Sequence, residues 1–237
     1  MSDIEKIIKA ARKDMQEMLN SVYNYSSDFP VNEKLLEKIL FAMSVIDRKF
    51  FVSNGSYLDT ALPIGKGQTI SQPSTVARML ILADLQEGDE VLEIGTGSGW
   101  NTCLIAFLVY PGNVLSLDRI YSLVEKAEKN LSELRSYMKQ KKPQDYEKLS
   151  KLNFSAGNIF GMNLKRKYDK IIVTAGIDNG EMEGKVDELA DSLLKQNGIL
   201  ICPYTRGPML IYKKQGKLRK IKTREQYVFV PLLEGKE

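Results

Sequence analysis

Hydrophobic residues recur at helical spacing over the first part of the chain. Ser2 followed by Glu5 is a capping-box signature of a helix start, and an apolar stripe continues from there to Val22. This pattern predicts one first helix. Asn32 can cap a second helix, whose apolar positions continue to Ile46. The two helices predict an N-terminal helical lobe.

Residues 57–71 interrupt this regularity. They contain Pro63, Gly65 and Gly67 and show no clear period, which predicts a loop. Long loops of this kind often carry functional residues.

Strand and helix patterns alternate after this loop. Such alternation predicts an α/β fold with a doubly wound, mostly parallel sheet that helices cover on both faces. Two later apolar runs predict closing antiparallel strands, with a basic turn between them. The predicted strands are residues 90–94, 113–117, 152–156, 170–174, 199–203, 209–212 and 226–230, and the predicted helices are 73–83, 98–109, 121–139 and 186–195.

The composition is that of an ordinary folded protein. Of the 237 residues, 43% are hydrophobic and 27% are charged, which excludes global disorder. A net charge of +4 is too small to indicate a nucleic-acid partner without local clustering. The longest apolar run, residues 103–110, is too short to cross a bilayer, so no membrane association is expected.

Cysteine and histidine usage narrows the chemistry. Cys103 and Cys202 lack the spacing of a disulfide framework or a zinc site, and they fit a reducing, cytoplasmic compartment. The N-terminal stretch is also unlike a secretion signal. The chain has no histidine, which excludes Ser-His-Asp and Cys-His nucleophile pairs and histidine metal sites. No metal site is expected, and any catalysis has to proceed without imidazole.

A glycine-rich turn follows the strand predicted at residues 90–94. Gly95, Gly97 and Gly99 have the spacing G-x-G-x-G where a strand meets a helix, a geometry that lets the backbone approach a nucleotide ligand. Trp100 stands where the dinucleotide fingerprint G-x-G-x-x-G needs a glycine, which disfavours NAD and FAD. No Gly-Lys-Ser or Gly-Lys-Thr follows, so ATP hydrolysis is not indicated.

A carboxylate follows the next predicted strand, residues 113–117, just as the glycine turn follows residues 90–94. Asp118 follows that strand, 23 residues after Gly95, where it can accept both ribose hydroxyls of an adenosine. Together with Glu93 just before the turn, this set favours the S-adenosylmethionine site of doubly wound methyltransferases. The alternative is a purely structural turn with a surface aspartate nearby.

A stretch ahead of this domain is more specific. Residues 62–73 read Leu-Pro-Ile-Gly-Lys-Gly-Gln-Thr-Ile-Ser-Gln-Pro, and they resemble the GQTISQP-like hallmark of the protein-L-isoaspartate (D-aspartate) O-methyltransferase family. The resemblance covers residues 35–233 in family order. With the helical pattern before it, this predicts N-terminal helices and a substrate-side loop, residues 1–72, packed on an S-adenosylmethionine-binding domain, residues 73–237. The other stretches that carry it are 46–52, 91–99, 168–175 and 229–232.

The resemblance also implies an activity. The family methylates the free α-carboxylate of L-isoaspartyl residues in damaged proteins, its name extends the substrates to D-aspartyl residues, and the ester then cyclises to a succinimide. Damaged proteins or peptides are the implied partners. By resemblance, Ser71 is the active-site serine, and Tyr57 and Asp59 lie in the loop that folds over the substrate. The implied cofactor-binding residues are Thr69, Ile70, Ser71, Glu93, Gly95, Thr96, Gly97, Gly99, Asp118, Arg119, Asn158 and Ile159.

This chemistry agrees with the missing histidines. A carboxylate with an ordinary pKa of about 4 is already ionised at neutral pH, so it needs no base before it attacks a sulfonium methyl. Orientation and desolvation can supply the rate, with the Ser71 hydroxyl and loop N–H groups replacing water around the anionic oxygen. Because Ser71 lies just before the helix that begins at Pro73, a plain helix-capping role is the alternative for it.

Several segments depart from the family pattern. Gly-Asn-Ile at residues 157–159 replaces the usual Gly-Asp-Gly, although the Asn158 carbonyl can still accept from an adenine amino group. Two motifs that border the substrate side differ, at residues 174–179 and 202–205, and residues 132–151 form a longer and more basic connection. These departures leave a different methyl acceptor open.

Two alternative functions follow. A methyltransferase of the same fold could act on a protein lysine or a nucleic acid, because residues 213–224 contain seven basic residues and no acidic one. Those cations can instead protect an exposed sheet edge from association, which makes nucleic acid the less favoured partner. The second alternative is a non-catalytic homologue that binds the cofactor. The sequence makes no prediction of oligomeric state.

Overall fold

A computed structural model of the chain describes residues 2–235 and 237. Its helices are α1 (Asp3–Ala10), α2 (Lys13–Ser27), α3 (Glu33–Val45), α4 (Pro73–Ala83), α5 (Trp100–Val109), α6 (Tyr121–Lys141), α7 (Pro143–Tyr146) and α8 (Gly180–Leu193). Its strands are β1 (Leu62–Gly65), β2 (Gln68–Ile70), β3 (Glu90–Ile94), β4 (Asn113–Asp118), β5 (Leu152–Ala156), β6 (Tyr168–Val173), β7 (Leu194–Pro203), β8 (Arg206–Gly207), β9 (Met209–Gln215), β10 (Lys217–Lys222) and β11 (Tyr227–Val228). Short 3-10 helices occupy Arg48–Phe50, Glu147–Leu149 and Ile159–Gly161.

The stretch predicted as one first helix is two helices, α1 and α2. Ser2 begins α1 with the predicted capping box, since its hydroxyl accepts from the Glu5 N–H and the Glu5 carboxylate accepts from the Ser2 N–H. The prediction of a single continuous helix is wrong, because Ala11 and Arg12 have extended backbone between α1 and α2. The Arg12 guanidinium donates to Asp47 at 3.0 Å. The apolar stripe nevertheless stays continuous, because both helices pack on α3.

The central sheet has seven strands in the order β10-β9-β7-β6-β3-β4-β5. The strands from β7 to β5 are parallel, whereas β9 and β10 are antiparallel additions at one edge. This order confirms the predicted α/β class with closing antiparallel strands. It also places the two motif-bearing strand ends side by side, because β3 pairs with β4 with Ile94 opposite Leu117.

Predictions for three irregular segments need correction. The stretch predicted as a loop contains the hairpin β1–β2, whose turn lies at residues 65–67 and whose strands are too short to show a period. The stretch predicted as a basic turn contains strand β10, which pairs with residues 210–215 of β9. The last predicted strand is reduced to β11, which pairs with β8 and stays outside the central sheet.

The long connection at residues 132–151 packs against the segment after α3 and against α5. The Tyr137 ring lies 5.3 Å from the Phe50 ring, in the 3-10 helix that follows α3. The Lys148 ammonium lies 4.1 Å from the centre of the Phe107 ring on α5. The connection therefore has a packing role that its basic composition did not indicate.

Buried side chains form one cluster on each face of the sheet. The larger cluster includes Ile39 of the helical lobe and Leu104 of α5, so the core runs across residue 72 without a break. The other cluster lies on the α8 face and includes Val186. The division into residues 1–72 and 73–237 stays a prediction. Within residues 2–235 and 237, no helix combines the length and apolar character needed to cross a membrane.

Candidate active site

A cleft that is partly open to solvent lies at the carboxyl ends of the parallel strands. The segments after β3, β4, β5 and β6 line it, together with residues 68–71 and residues 230–233. In the sheet, β4 lies on one side of β3 and β6 on the other. Open α/β sheets bind ligands where the strand order changes direction in this way.

The turn after β3 has a backbone conformation that favours glycine. Gly95, Gly97 and Gly99 have φ values of 103°, 53° and 87°. A Cβ atom at Gly95 would collide with the hydroxyl of Thr174, and one at Gly99 would press against Ala127. Glycine at these positions therefore lets the turn lie close to its neighbours, with Gly95 and Gly97 lining the cleft.

Asp118 lies beside this turn at the end of β4. Its side chain lines the cleft and is 7% exposed. One carboxylate oxygen accepts from the Gly97 N–H at 2.8 Å, and the other accepts from the Ile120 N–H at 3.0 Å. Burial raises the pKa of Asp118, and these N–H groups act in the opposite direction. Each oxygen keeps a further acceptor site, so the carboxylate can bind the two hydroxyls of a diol.

Glu93 lies beneath the turn and not in the cleft lining. Its carboxylate is wholly buried, and it accepts from Asn101 Nδ2 at 2.7 Å, from Ser116 Oγ at 2.6 Å and from the Thr102 hydroxyl. Burial raises the pKa of Glu93 to about 7, and the three donors oppose that rise. Thr96, which lines the cleft, joins the network through its hydroxyl contact with Ser116. The predicted contact of Glu93 with a cofactor stays a prediction.

Residues 69–71 line the same cleft as the glycine turn, as the resemblance led us to expect. Ser71 is not the cap of α4. The cap position is Gln72, and the Ser74 N–H in the first turn of the helix donates to Asp59 Oδ1 at 2.8 Å. The plain-cap alternative for Ser71 is therefore wrong, because a more distant carboxylate serves this helix end.

Tyr57 and Asp59 lie outside the cleft lining. The Tyr57 hydroxyl donates to Asp47 at 2.7 Å and is also contacted by Arg12. Asp59 is engaged by the start of α4, where Gln72 Nε2 donates to it at 3.2 Å. Both side chains hold the segment between Arg48–Phe50 and β1 in place. Their contact with a substrate stays a prediction.

The last described segment closes one side of the cleft. Residues 230–233 line it, although the sequence assigned them no role beyond the resemblance. Asn158 Nδ2 donates to the carbonyls of Leu233 at 2.8 Å and Gly235 at 2.9 Å, and Arg119 Nε donates to Gly235 at 3.2 Å. The sequence signal for this anchor is an amide with two donors where the family has an acid. Ile159 and Arg119 line the cleft beside it.

Replacing Asn158 by aspartate is expected to loosen residues 230–235. The carboxylate has no hydrogen to donate and would face two carbonyl oxygens, which we expect to cost about 1–2 kcal/mol of local stability. Hydrogen exchange at these backbone amides should become faster in Asn158→Asp. The matched control is Asn153→Asp on the exposed face of β5, which should leave exchange in the segment unchanged. Equal exchange in Asn158→Asp and the parent would contradict the anchoring role.

Comparison with known proteins identifies relatives along most of the chain. Residues 31–237 match the family model described as protein-L-isoaspartate (D-aspartate) O-methyltransferase. A protein-L-isoaspartate O-methyltransferase of Ignicoccus hospitalis is 37% identical over 213 residues, covering 84% of this chain and 90% of that protein. One of Vibrio campbellii is 36% identical over 205 residues, covering 84% and 89%.

Solved structures give the same fold. A putative protein-L-isoaspartate O-methyltransferase of Plasmodium falciparum, in complex with S-adenosyl-L-homocysteine, aligns with a TM-score of 0.73 and 23% identity, covering 94% of this chain and 99% of that one. A structure described as protein-L-isoaspartate O-methyltransferase aligns with a TM-score of 0.71 and 25% identity, covering 92% and 65%. On the family match and the identity to these relatives, the chain belongs to the protein-L-isoaspartate (D-aspartate) O-methyltransferase family.

Proposed function

We propose that this chain transfers a methyl group from S-adenosylmethionine to the free carboxylate of L-isoaspartyl residues, and of D-aspartyl residues, in damaged proteins. The observation that carries the proposal is the shared cleft. Residues 95–98 of the glycine turn, Asp118 and residues 69–71 all line it. A nucleoside cofactor and a reacting carboxylate can therefore meet in one cleft.

The residues of the cleft fit this cofactor. The left-handed glycines let the turn backbone line the cleft at Gly95 and Gly97, and Asp118 keeps acceptors for the two ribose hydroxyls. The remaining proposed cofactor contacts are Thr69, Ile70, Ser71, Glu93, Thr96, Gly99, Arg119, Asn158 and Ile159. The cofactor supplies an electrophilic methyl group on a sulfonium when it is bound.

The ionisable groups of the cleft favour a carboxylate as the methyl acceptor. Among the described lining residues these groups are Asp118 and Arg119. Asp118 is already held by two backbone N–H groups, and the guanidinium of Arg119 offers hydrogen-bond donors and no acceptor. A lysine acceptor would have to lose a proton to a base first, whereas an isoaspartyl carboxylate is ionised at neutral pH. This favours the carboxyl acceptor over the lysine alternative.

We propose that the protein's own residues work by orientation and by exclusion of water. The Ser71 hydroxyl can donate to the attacking carboxylate and hold one oxygen in line with the methyl group. Ile94, Leu117 and Trp100 provide apolar surface in the same cleft. Because charge is neutralised as the methyl group is transferred, a dry site favours the transition state over the ionic reactants.

The basic stretch 213–224 gives less support to a nucleic-acid substrate than its composition suggests. Lys220 pairs with Glu183 and Asp187, and Lys214 pairs with Asp191. Strand β10 is also the edge of the central sheet. Charged side chains on an edge strand, such as Lys220 on β10, are typical of protection against association.

Damaged proteins or peptides are the partners that this proposal requires. We also propose a reducing, cytoplasmic location, which the two buried free thiols, Cys103 and Cys202, support.

One assay tests the proposed function. Radiolabelled methyl transfer is measured from S-adenosylmethionine to an isoaspartyl peptide and to its normal aspartyl twin. We expect a base-labile methyl ester on the isoaspartyl peptide alone. Cofactor binding without transfer would select the non-catalytic alternative, and base-stable transfer to lysine or RNA would select the other acceptor.

Replacing Ser71 by alanine is expected to lower kcat for the isoaspartyl peptide by about 10- to 100-fold, because one oriented donor to the carboxylate is lost. The affinity for S-adenosylhomocysteine should change by less than about threefold, since the turn and Asp118 remain intact. The control is Ser53→Ala on the exposed part of the neighbouring loop. Parent-like turnover in Ser71→Ala would remove Ser71 from the catalytic site.

A further inference from the structure

Arg48 is a fully buried arginine that the functional motifs did not single out. It is 0% exposed, in the 3-10 helix between α3 and the substrate-side loop. Within the described chain no carboxylate forms an ion pair with Arg48, and backbone carbonyls accept its hydrogen bonds instead. Burial lowers the pKa of Arg48 to about 10, while the charge of Asp59 acts in the opposite direction.

Four backbone carbonyls surround its guanidinium. Nη1 donates to Ser56 at 3.0 Å and Leu58 at 3.2 Å, and Nη2 donates to Thr60 at 3.0 Å and Ser71 at 3.1 Å. Three of these carbonyls belong to the loop before β1, and the fourth belongs to the residue after β2. The guanidinium therefore joins the two ends of the segment that contains the hairpin β1–β2.

The same guanidinium also contacts the cofactor side of the cleft. Its central carbon lies 5.2 Å from the centre of the Trp100 ring. Trp100 begins α5 directly after the glycine turn, lines the cleft, and is fixed by a bond from its Nε1 to the Ile46 carbonyl at 3.0 Å. Arg48 thus lies between Trp100, at the start of α5, and the segment that carries Ser71.

Only an arginine suits this position. Its planar, permanently charged fork presents two terminal nitrogens that can each serve two acceptors, and its face can stack on an aromatic ring. A lysine has three donors on a single nitrogen and cannot span four carbonyls. The Nε of Arg48 makes no bond in the described structure, so the two terminal nitrogens carry all of the bonding.

We propose that Arg48 is a positioning residue for methyl transfer: it holds residues 56–60 and the Ser71 backbone close to Trp100, and so sets the position of the Ser71 hydroxyl relative to the glycine turn and Asp118. The proposal rests on the proposed function, and it adds a residue that acts through Ser71 without touching substrate. Misplacement of a reacting group by about 1 Å costs roughly 100-fold in rate, which is the scale at stake.

The test compares Arg48→Lys with Arg78→Lys. Arg78 is a matched control, because it is 8% exposed and has an unpaired Nε, but it bonds to Glu225 and not to the loop. We expect Arg48→Lys to lower kcat/KM for the isoaspartyl peptide by about 100-fold while the affinity for S-adenosylhomocysteine changes by less than about threefold. Hydrogen exchange in residues 56–60 should become faster in this variant alone.

A second variant separates positioning from folding. In Arg48→Ala, millimolar guanidinium is expected to raise kcat for the isoaspartyl peptide at least about tenfold, because the cavity and the four carbonyl acceptors match the planar ion. Methylammonium is expected to have no such effect. Guanidinium should not raise the turnover of the parent or of Arg78→Lys.

The outcomes separate this proposal from the proposed function. A parent protein that does not methylate the peptide refutes the function, and exchange in residues 56–60 then still decides whether Arg48 clasps the loop. Equal losses in Arg48→Lys and Arg78→Lys, parallel losses of turnover and cofactor affinity, or absence of guanidinium rescue would each overturn the positioning role.

Discussion

Replacing Asp118 by alanine is expected to raise the dissociation constant for S-adenosylhomocysteine by about 100-fold, because charge-assisted bonds to a ribose diol contribute about 2–3 kcal/mol. The substitution also frees the Gly97 and Ile120 N–H groups that the carboxylate holds. The glycine turn would then lose its side-chain bond to β4, while the Gly95 N–H still donates to the Leu117 carbonyl at 2.7 Å. Titration calorimetry on the folded variant measures the effect directly.

The control for Asp118 is a carboxylate that is as well buried but remote from the cleft. Asp145 on α7 is 5% exposed and pairs with Lys148. Asp145→Ala should lower stability and leave cofactor affinity unchanged. An affinity in Asp118→Ala within twofold of the parent would show that the nucleoside binds elsewhere.

The second large effect is on the pH dependence of stability. The buried Glu93 carboxyl has its pKa raised to about 7 in the folded protein, against 4.5 for the ordinary group. Between these values the folded chain holds a proton that the unfolded chain has released, so the free energy of unfolding falls as the pH rises. The contribution of Glu93 should therefore fall by about 2 kcal/mol between pH 5 and pH 8, and stay constant above that window.

Glu93→Gln removes this titration while keeping the shape of the side chain. Denaturant unfolding at pH 5 and pH 8 should show a smaller loss of stability in the variant than in the parent, with the difference near 2 kcal/mol. Glu125→Gln, on the exposed face of α6, should keep the parent's pH dependence. The prediction fails when Glu93→Gln and the parent lose the same stability.

The parts of the site that the sequence predicts are short motifs and residues at a fixed spacing from them. The glycine turn needs three left-handed positions in a row of five, and Asp118 follows the adjacent strand, so their spacing is sufficient to bring them together. Residues 69–71 were found through resemblance to a family and not through periodicity. The α/β class followed from the alternation of strand and helix patterns, which is a strong signal over a long stretch.

The parts that the sequence missed depend on contacts between distant residues. The break between α1 and α2 leaves the apolar stripe intact, so periodicity could not reveal it. Asp59 accepts a hydrogen bond from the first turn of α4, fifteen residues further along the chain. Capping patterns in the local sequence instead suggest Ser71 for this role. The anchoring of residues 230–235 by Asn158 joins segments more than seventy positions apart, and no local pattern encodes it.

The wall formed by residues 230–233 has a consequence for biosynthesis. The glycine turn and Asp118 are synthesised more than a hundred residues before this wall. During that time the cleft of the nascent chain lacks one of its sides. A ligand stabilises only the state that it binds, so the contacts that S-adenosylmethionine would make with residues 230–233 can stabilise the chain only after this wall has docked.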